Sequence, residues 1–577
     1  MDAMAERLAV ARGDRPADVV LAGGRVANVF TGELIEADVA LAGEVVAGVG
    51  SDLEGERVVD VTGAVVAPGL IDAHVHIESS MVTPYEFARA VVPRGTTTVV
   101  TDPHEIANVH GLEGIRYMLD ASEGLGLTVF VMASSCVPAT DMGTAGARLD
   151  AEALATLLDH PRVLGLAEVM NFPGAILGDA EVHAKLTAFR GRPVDGHAPG
   201  VAGRWLDAYT LAGAESDHEC TTAEEAMERL RRGMWVFFRE ATNARNLDAL
   251  LPVLDAHTAQ RVCLCTDDRQ PPDLLDEGGI DAMVRRVVAH GHDPVAALRL
   301  ATLNPALRFG LADRGAVAPG RRADLVVLDD LASFTVREVW AGGRPVAMDG
   351  APILGPPPTV RPPTPVMTVD AGALDLTLPD RGGAARVIRV LPDQIVTGHE
   401  VERPTVRDGL VVADPGRDLL RVVVVERHTG SGRVGQGLVR GFGLERGALA
   451  GTVAHDHHNV IAVGVDETSL RTAIARVAAL GGGLVVAEGE RVRAELPLPV
   501  GGLMSLRPVE AVADELRALL RAAAALGSRL HDPFMAMSFV GLEVIPALKI
   551  TDRGLVDVEA FRPVDLWVDA TGAGGGP

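Results

Sequence analysis

The sequence predicts an α/β protein built on a (β/α)8 barrel, with a small β unit supplied by both flanks of the barrel and an additional α+β domain at the C-terminus. Three observations point there. Between Gly69 and Thr266, buried-strand patterns alternate with longer helical ones through eight βα units. Short Val-rich runs punctuated by glycine precede this region and resume after it. A proline-rich stretch then sets apart the remaining residues, 367–577.

Size and charge bound what such a chain can be. At 577 residues it exceeds what a single core can organise, so several domains are expected. A net charge of −25 argues against a nucleic-acid partner and for a soluble protein. The four cysteines, Cys136, Cys220, Cys263 and Cys265, contain no CxxC pair, so neither a disulfide framework nor a thiolate zinc site is indicated. A reducing, cytoplasmic setting fits. There is no signal-peptide pattern and no uncharged apolar stretch long enough to cross a bilayer, so no membrane partner is expected. The expected assembly is a homo-oligomer, a dimer first.

Residues 1–66 carry runs broken at Gly24, Gly32, Gly43, Gly48 and Gly63, the punctuation of a small antiparallel β unit. The rhythm changes at Gly69, and 67–310 form the barrel. Its strands are Leu70 to Ile77, Thr96 to Thr101, Leu127 to Ala133, Val163 to Val169, Pro193 to His197, Glu215 to His218, Trp235 to Arg239 and Val262 to Thr266. A helix follows at Pro294 to Phe309, and GAVAPGRRADLVVLDD (315–330) returns to short strands, so 311–352 complete the flanking β unit. Within 353–366, Pro356, Pro357, Pro358, Pro362, Pro363 and Pro365 can continue neither a helix nor a central strand, which makes the segment a linker.

The chemistry gathers at strand ends. In DAHVHIE (72–78) the two-residue period of a strand turns His74 and His76 to one face and buries Ala73 and Val75 on the other. Strand 4 ends with Glu168, strand 5 with His197, strand 6 with His218 and strand 8 with Asp267. Barrel chemistry sits at the C-terminal ends of the strands, and all six residues fall there. Their nitrogen and oxygen donors suit one or two divalent ions of the Zn, Mn or Fe(II) type, and Glu168 is the carboxylate able to bridge a pair. Water between two such cations is acidified towards hydroxide.

Other rim residues have weaker claims. Asp102, His104 and Glu105 follow strand 2 and either orient a ligand or cap the next helix. Glu240 and Asn243 after strand 7, and Asp268 and Arg269 after strand 8, contact substrate or form ion pairs. In the C-terminal domain His455, Asp456, His457 and His458 form the other dense imidazole cluster; it reads as a surface loop, with docking over the barrel mouth as the alternative.

The strings APGLIDAHVHIESSM (67–81), TDPHEIANVHG (101–111), EVMNFPG (168–174), DGHAPG (195–200), SDHECTT (216–222), TDDR (266–269), GLMS (502–505) and DPFMAMSF (532–539) resemble those of the bacterial adenine deaminases within the amidohydrolase superfamily. The likeness spans barrel and C-terminal domain alike. It implies a small β-sandwich formed from the two flanks, two divalent metal ions, Mn(II) or Fe(II) before Zn(II), and hydrolysis of adenine to hypoxanthine and ammonia in purine salvage. Gln270 and His457 depart from the relatives' pattern, which bears on substrate preference.

On that reading the small-molecule partner is a purine, for which His104, Glu105 and Arg269 are the expected binding residues. Deamination at C6 needs a strong nucleophile, a proton for N1 and a proton for the leaving amine, and Asp267 is the residue placed to shuttle it, with Glu168 at the bridge. No PCxxC element of the cytidine-deaminase type is present. Two alternatives stand beside it: another amidohydrolase reaction on a different aminopurine or cyclic amide, and a non-catalytic metal-binding scaffold, against which the six intact ligands argue.

Overall fold

In a computed structural model that describes residues 3–568, the barrel strands form where the apolar runs predict them. They are β1 Leu70–Val75, β2 Thr96–Thr101, β3 Thr128–Ser134, β4 Val163–Val169, β5 Val194–Gly196, β6 Ser216–Asp217, β7 Trp235–Arg239 and β8 Val262–Cys265. All pair in parallel, in one sheet of order β5-β4-β3-β2-β1 and another of order β6-β7-β8. Main-chain bonds join the two sheets at both seams: Glu215 N donates to the Val194 carbonyl at 3.0 Å, and Asp267 N to that of His74 at 3.0 Å. The result is an α/β barrel-like domain. Its interior is filled by Ile71, Ala73, Phe130, Met132, Ala167, Phe237, Cys263 and Cys265, side chains from strands on opposite sides of the ring.

Three local expectations change. The register of β1 against β2 shifts between Asp72 and Val75, so Ala73 packs inside the ring while Val75 joins a separate cluster with Ile77 and Val99. A bulge of this kind re-aims the side chains around it, and both histidines still converge. The single helix expected over Pro294 to Phe309 is two, Pro294–Leu300 and Leu303–Arg308, and the break frees the Ala301 carbonyl to accept Ile71 N at 2.7 Å. The flanking β unit is mixed rather than antiparallel: Ala17–Ala22 pairs in parallel with Gly55–Asp60, and Arg25–Asn28 with Val65–Pro68. Parallel pairing follows because these partners are joined by long excursions instead of tight hairpins.

Strands from before and after the barrel share one flanking sheet, where Val65–Pro68 runs antiparallel to Leu325–Leu328. A second, four-stranded sheet packs against it through Leu21, Val39, Leu41, Val46, Val66, Leu325 and Trp340.

After Pro352 the chain has no helix or strand until Ala384, an irregular segment longer than the proline run alone suggests. It is anchored at intervals: Leu374 and Leu376 are buried, and Arg427 Nη1 donates to the Val366 carbonyl at 2.9 Å. The rest is α+β, as expected, except that 569–577 lie outside the described residues. A nine-stranded sheet is built around Leu420–Val425, and the alternation of that strand decides its packing. Val423 and Val425 face the helix Glu467–Leu480 through Leu470, Ile474 and Val477. Val422 and Val424 face the helix Val509–Ala525 in a cluster that continues into Ile77, Phe87, Ile106 and Met118 of the barrel. Barrel and C-terminal domain therefore share a core. Among the described residues no helix is long and apolar enough to cross a membrane, and the four cysteines are free and buried.

Candidate active site

Five of the six expected ligands stand at or just beyond the C-terminal end of a strand: His76 follows β1, Glu168 is the penultimate residue of β4, His197 follows β5, His218 follows β6 and Asp267 comes two residues after β8. His74 completes the set from within β1. Close strand packing brings them together. A Cβ on Gly196 would lie 2.3 Å from the Ser216 carbonyl oxygen, so only glycine lets β5 and β6 approach this closely. Asp267 itself adopts a left-handed backbone, φ +56°, a conformation Asp tolerates better than most residues.

The donors fall into two sets joined by Glu168. His74 Nε2 and His76 Nε2 are 3.1 Å apart and lie 3.2 and 3.0 Å from Glu168 Oε1. Asp267 Oδ1 lies 3.4 and 3.1 Å from the same two nitrogens. On the other side, Glu168 Oε2 is 2.9 Å from His197 Nδ1 and 3.5 Å from His218 Nε2. One carboxylate thus offers one oxygen to each set. Buried Glu168 Oε1 takes no hydrogen bond of acceptable geometry despite its close neighbours. That is the arrangement of donors around a shared centre, and these residues could hold a divalent metal ion.

Charge tells the same story. Burial opposes protonation of His74, yet Glu168 and Asp267 outweigh it and lift the imidazole to about 10. Burial would raise Glu168, but His74 and His218 hold it well below the usual carboxylate range. Carboxylates kept ionised in a buried site draw protons onto the imidazoles, and a cation among the same donors would take the place of those protons. Outer contacts fix these side chains: His76 Nδ1 meets the Asp102 carbonyl at 2.9 Å, leaving Nε2 to face the other donors, and Tyr209 Oη receives His197 N at 2.9 Å.

Above the donors lies a cavity of about 20 Å³, far smaller than a ligand site, whose upper wall is C-terminal domain: Ile395, His455, Asp456, Phe539, Leu542 and Ile545. The His455–His458 segment is therefore buried and not a surface loop, because it packs against the barrel mouth. His104 lines the cavity, held by Asp102 at 3.0 Å. Glu105 stands behind the wall, accepting Ser79 Oγ at 2.7 Å and facing His455 Nε2 at 3.6 Å. Asp268 lines the cavity and lies 3.7 Å from His455 Nε2.

Arg269 does not reach this space. Its guanidinium is spent on the Gly278 and Glu240 carbonyls and the Glu277 carboxylate, each at 2.7 Å, tying rim loops together. Glu240 pairs with Arg286, the ion-pair role its position allowed, and Asn243 bonds the Asp532 carbonyl at 3.3 Å. Neither Gln270 nor His457 lines the cavity; Gln270 stands before the helix Pro271–Asp276, and the His457 ring fills space beside Gly143.

Sequence reasoning passed over Glu219 and Arg239. Glu219 Oε1 lies 3.4 Å from His197 Nδ1 and 3.3 Å from His218 Nε2. Buried Arg239 forks between Glu219 and Asp267 Oδ2, the latter at 3.2 Å, and holds Glu219 down to about 2 against the effect of burial. The available signal was an acid directly after a strand-end histidine and an arginine closing a strand of otherwise apolar residues.

Residues 65–346 match the amidohydrolase family, and residues 394–562 match the adenine deaminase C-terminal domain. The chain is 50% identical to an adenine deaminase of Desulfatibacillum aliphaticivorans over 97% of its length and 99% of the relative's. It is 49% identical to one of Methanothrix thermoacetophila, over 97% and 99% respectively. Among solved structures, an adenosine deaminase of Xanthomonas campestris with bound zinc aligns at 19% identity and a TM-score of 0.44, covering 59% of this chain and 95% of that one. Near-identical length, matched families on both sides of the linker and half of all residues shared lead to one conclusion: the chain belongs to the adenine deaminase family.

Proposed function

We propose that the protein hydrolyses adenine to hypoxanthine and ammonia. The observation that carries this reading is Glu168, whose two oxygens face two donor sets at the floor of a cavity roofed by the C-terminal domain. Relatives that share about half of its residues bear the name of that activity.

His74, His76, Asp267 and Glu168 Oε1 would hold one divalent cation, and His197, His218 and Glu168 Oε2 a second. Such a pair, Mn(II) or Fe(II) by preference and Zn(II) by the same donors, supplies Lewis acidity and brings the pKa of water towards neutrality. The chain's own residues do the rest. Asp267 is the proton carrier: Oδ1 lies among the donors, while Arg239 fixes Oδ2 and keeps the carboxylate ionised and aimed. It takes one proton from the attacking water and delivers it to N1, where the product keeps it, then takes the proton of the new C6 hydroxyl and delivers it to the departing amine, so that C6=O forms as the C6–N bond breaks and ammonia leaves. Met170, Ile395, Phe539, Leu542 and Ile545 form an apolar slot for a flat ring and exclude bulk water.

In the same reading, 67–310 is a closed (β/α)8 barrel, 1–66 with 311–352 a β-sandwich, 353–366 a linker and 367–577 a domain that completes the site, in a cytoplasmic homodimer. The test is ammonia release from adenine, guanine and cytosine by Mn-loaded protein, alongside hydrolysis of dihydroorotate. Adenine should be turned over fastest. Inactivity on adenine with metal bound, or preference for another of these substrates, refutes the assignment.

A further inference from the structure

We infer that Asp456 reads the imidazole N–H of the purine and thereby restricts the site to free bases. The inference rests on the adenine reading above and goes past it to a residue that decides which adenine compounds enter.

Asp456 is 1% exposed and lines the cavity, yet neither carboxylate oxygen has a hydrogen-bond partner. Its nearest cationic group, His104 Nε2, stands 3.5 Å from Oδ1, and that nitrogen is unpartnered too. The other polar residue of the cover, His455, has Nδ1 on Ser538 Oγ at 2.5 Å, while its Nε2 makes no hydrogen bond and stands 3.6 Å from Glu105 and 3.7 Å from Asp268. Among the described residues lining the cavity, Asp456 is the carboxylate that the C-terminal domain contributes. Burial works against its charge, but His104 and His455 outweigh burial and hold it below its ordinary range.

An ionised carboxylate offers acceptors and no donor, so the group that satisfies it must present an N–H or O–H. The reacting C6 edge of a purine has to face the donor sets on the barrel floor. The imidazole half of the ring then points away from that floor, towards the cover. In free adenine this half carries one N–H; in a nucleoside the sugar occupies that nitrogen and the donor is gone. A ligand without it would strand a buried carboxylate, and sites built to accept a substrate N–H reject analogues lacking it far more strongly than apolar walls reject a methyl group.

The experiment compares adenine with 9-methyladenine and 7-methyladenine, both of which lack an imidazole N–H, on metal-loaded wild type, Asp456→Asn and Asp456→Ala. Metal content and far-ultraviolet circular dichroism are measured on each protein. Wild type should favour adenine over either methyl compound by about 10³-fold or more in kcat/KM. Asp456→Ala should lose about 100-fold on adenine, chiefly through KM, and its preference over the methyl compounds should fall to within about tenfold, with metal retained. Asp456→Asn, which keeps the acceptor and loses the charge, should fall between. Unchanged discrimination in a metal-replete alanine variant overturns the inference, as does loss of metal, which would make Asp456 a ligand. Should neither variant fold, equal wild-type turnover of adenine and 9-methyladenine overturns it by itself. A wild type that releases no ammonia from adenine overturns the activity reading as well, which separates the two failures.

Discussion

Lys549 is wholly buried, and among the described residues no carboxylate pairs with it: Nζ donates to the carbonyls of Ile395 at 2.9 Å and Phe539 at 2.8 Å. Burial pushes its amine from an ordinary 10.5 down to about 7. The unfolded chain therefore keeps this proton up to about pH 10, whereas the folded chain gives it up near neutrality. Below pH 7 both states are protonated and the folded state bears the full cost of a buried charge. As pH rises the unfolded state binds more protons than the folded one, so stability increases. The whole window is worth about 5 kcal/mol, and the part between pH 7 and pH 9 about 2 kcal/mol. Lys549→Met removes the titration, keeps the chain length, and leaves two carbonyls unsatisfied at about 1–3 kcal/mol each. Guanidinium unfolding of both proteins at pH 7, 8 and 9, followed by the fluorescence of Trp567 in the same domain, isolates the effect. The gap between them should widen by about 2 kcal/mol in favour of wild type from pH 7 to pH 9. Parallel curves, with a gap independent of pH, would refute the argument.

Glu168→Gln should leave less than the full complement of metal by elemental analysis and slow ammonia release by more than the roughly 10–100-fold typical of an outer metal contact. Arg239→Met strands Glu219 and Asp267 without their shared cation and should cost about 3–5 kcal/mol in denaturant unfolding, unless added metal compensates. Gly196→Ala forces β5 from β6 and should cost about 1–3 kcal/mol, with weaker metal binding through the adjacent His197; wild-type Tm and metal affinity would refute this. Adding Mn(II) to chelator-treated protein should stabilise it by about 2.7 kcal/mol at a hundredfold excess over Kd, read as a rise in Tm.

Much of this was legible in one sequence because buried parallel strands are short, apolar and separated by helices. Thr96–Thr101, Val163–Val169 and Trp235–Arg239 begin and end where their patterns do. The juxtaposition of His74, His76, Glu168, His197, His218 and Asp267, set by strand geometry, was legible for the same reason. What sequence could not supply was contact between distant segments. Nothing local to His455 and Asp456 marks them as buried; a polar run reads as solvent-facing until the sheet behind it docks on Ile77 and Ile106. Arg269 shows the reverse error. It has the right place on the rim, but the carbonyls that claim its guanidinium come from loops whose folding no periodicity describes.

The shared wall of the cavity has a temporal consequence. Met170 from the barrel and Ile395, Phe539, Leu542 and Ile545 from the cover interlock, none more than 6% exposed. A wall packed this closely is expected to pass ammonia more readily than a purine, so local movement along the seam is expected to accompany entry and release. The seam that belongs to the common core would then also be a door, and a slow seam would show as a turnover rate that falls with solvent viscosity while the chemistry beneath it stays unchanged.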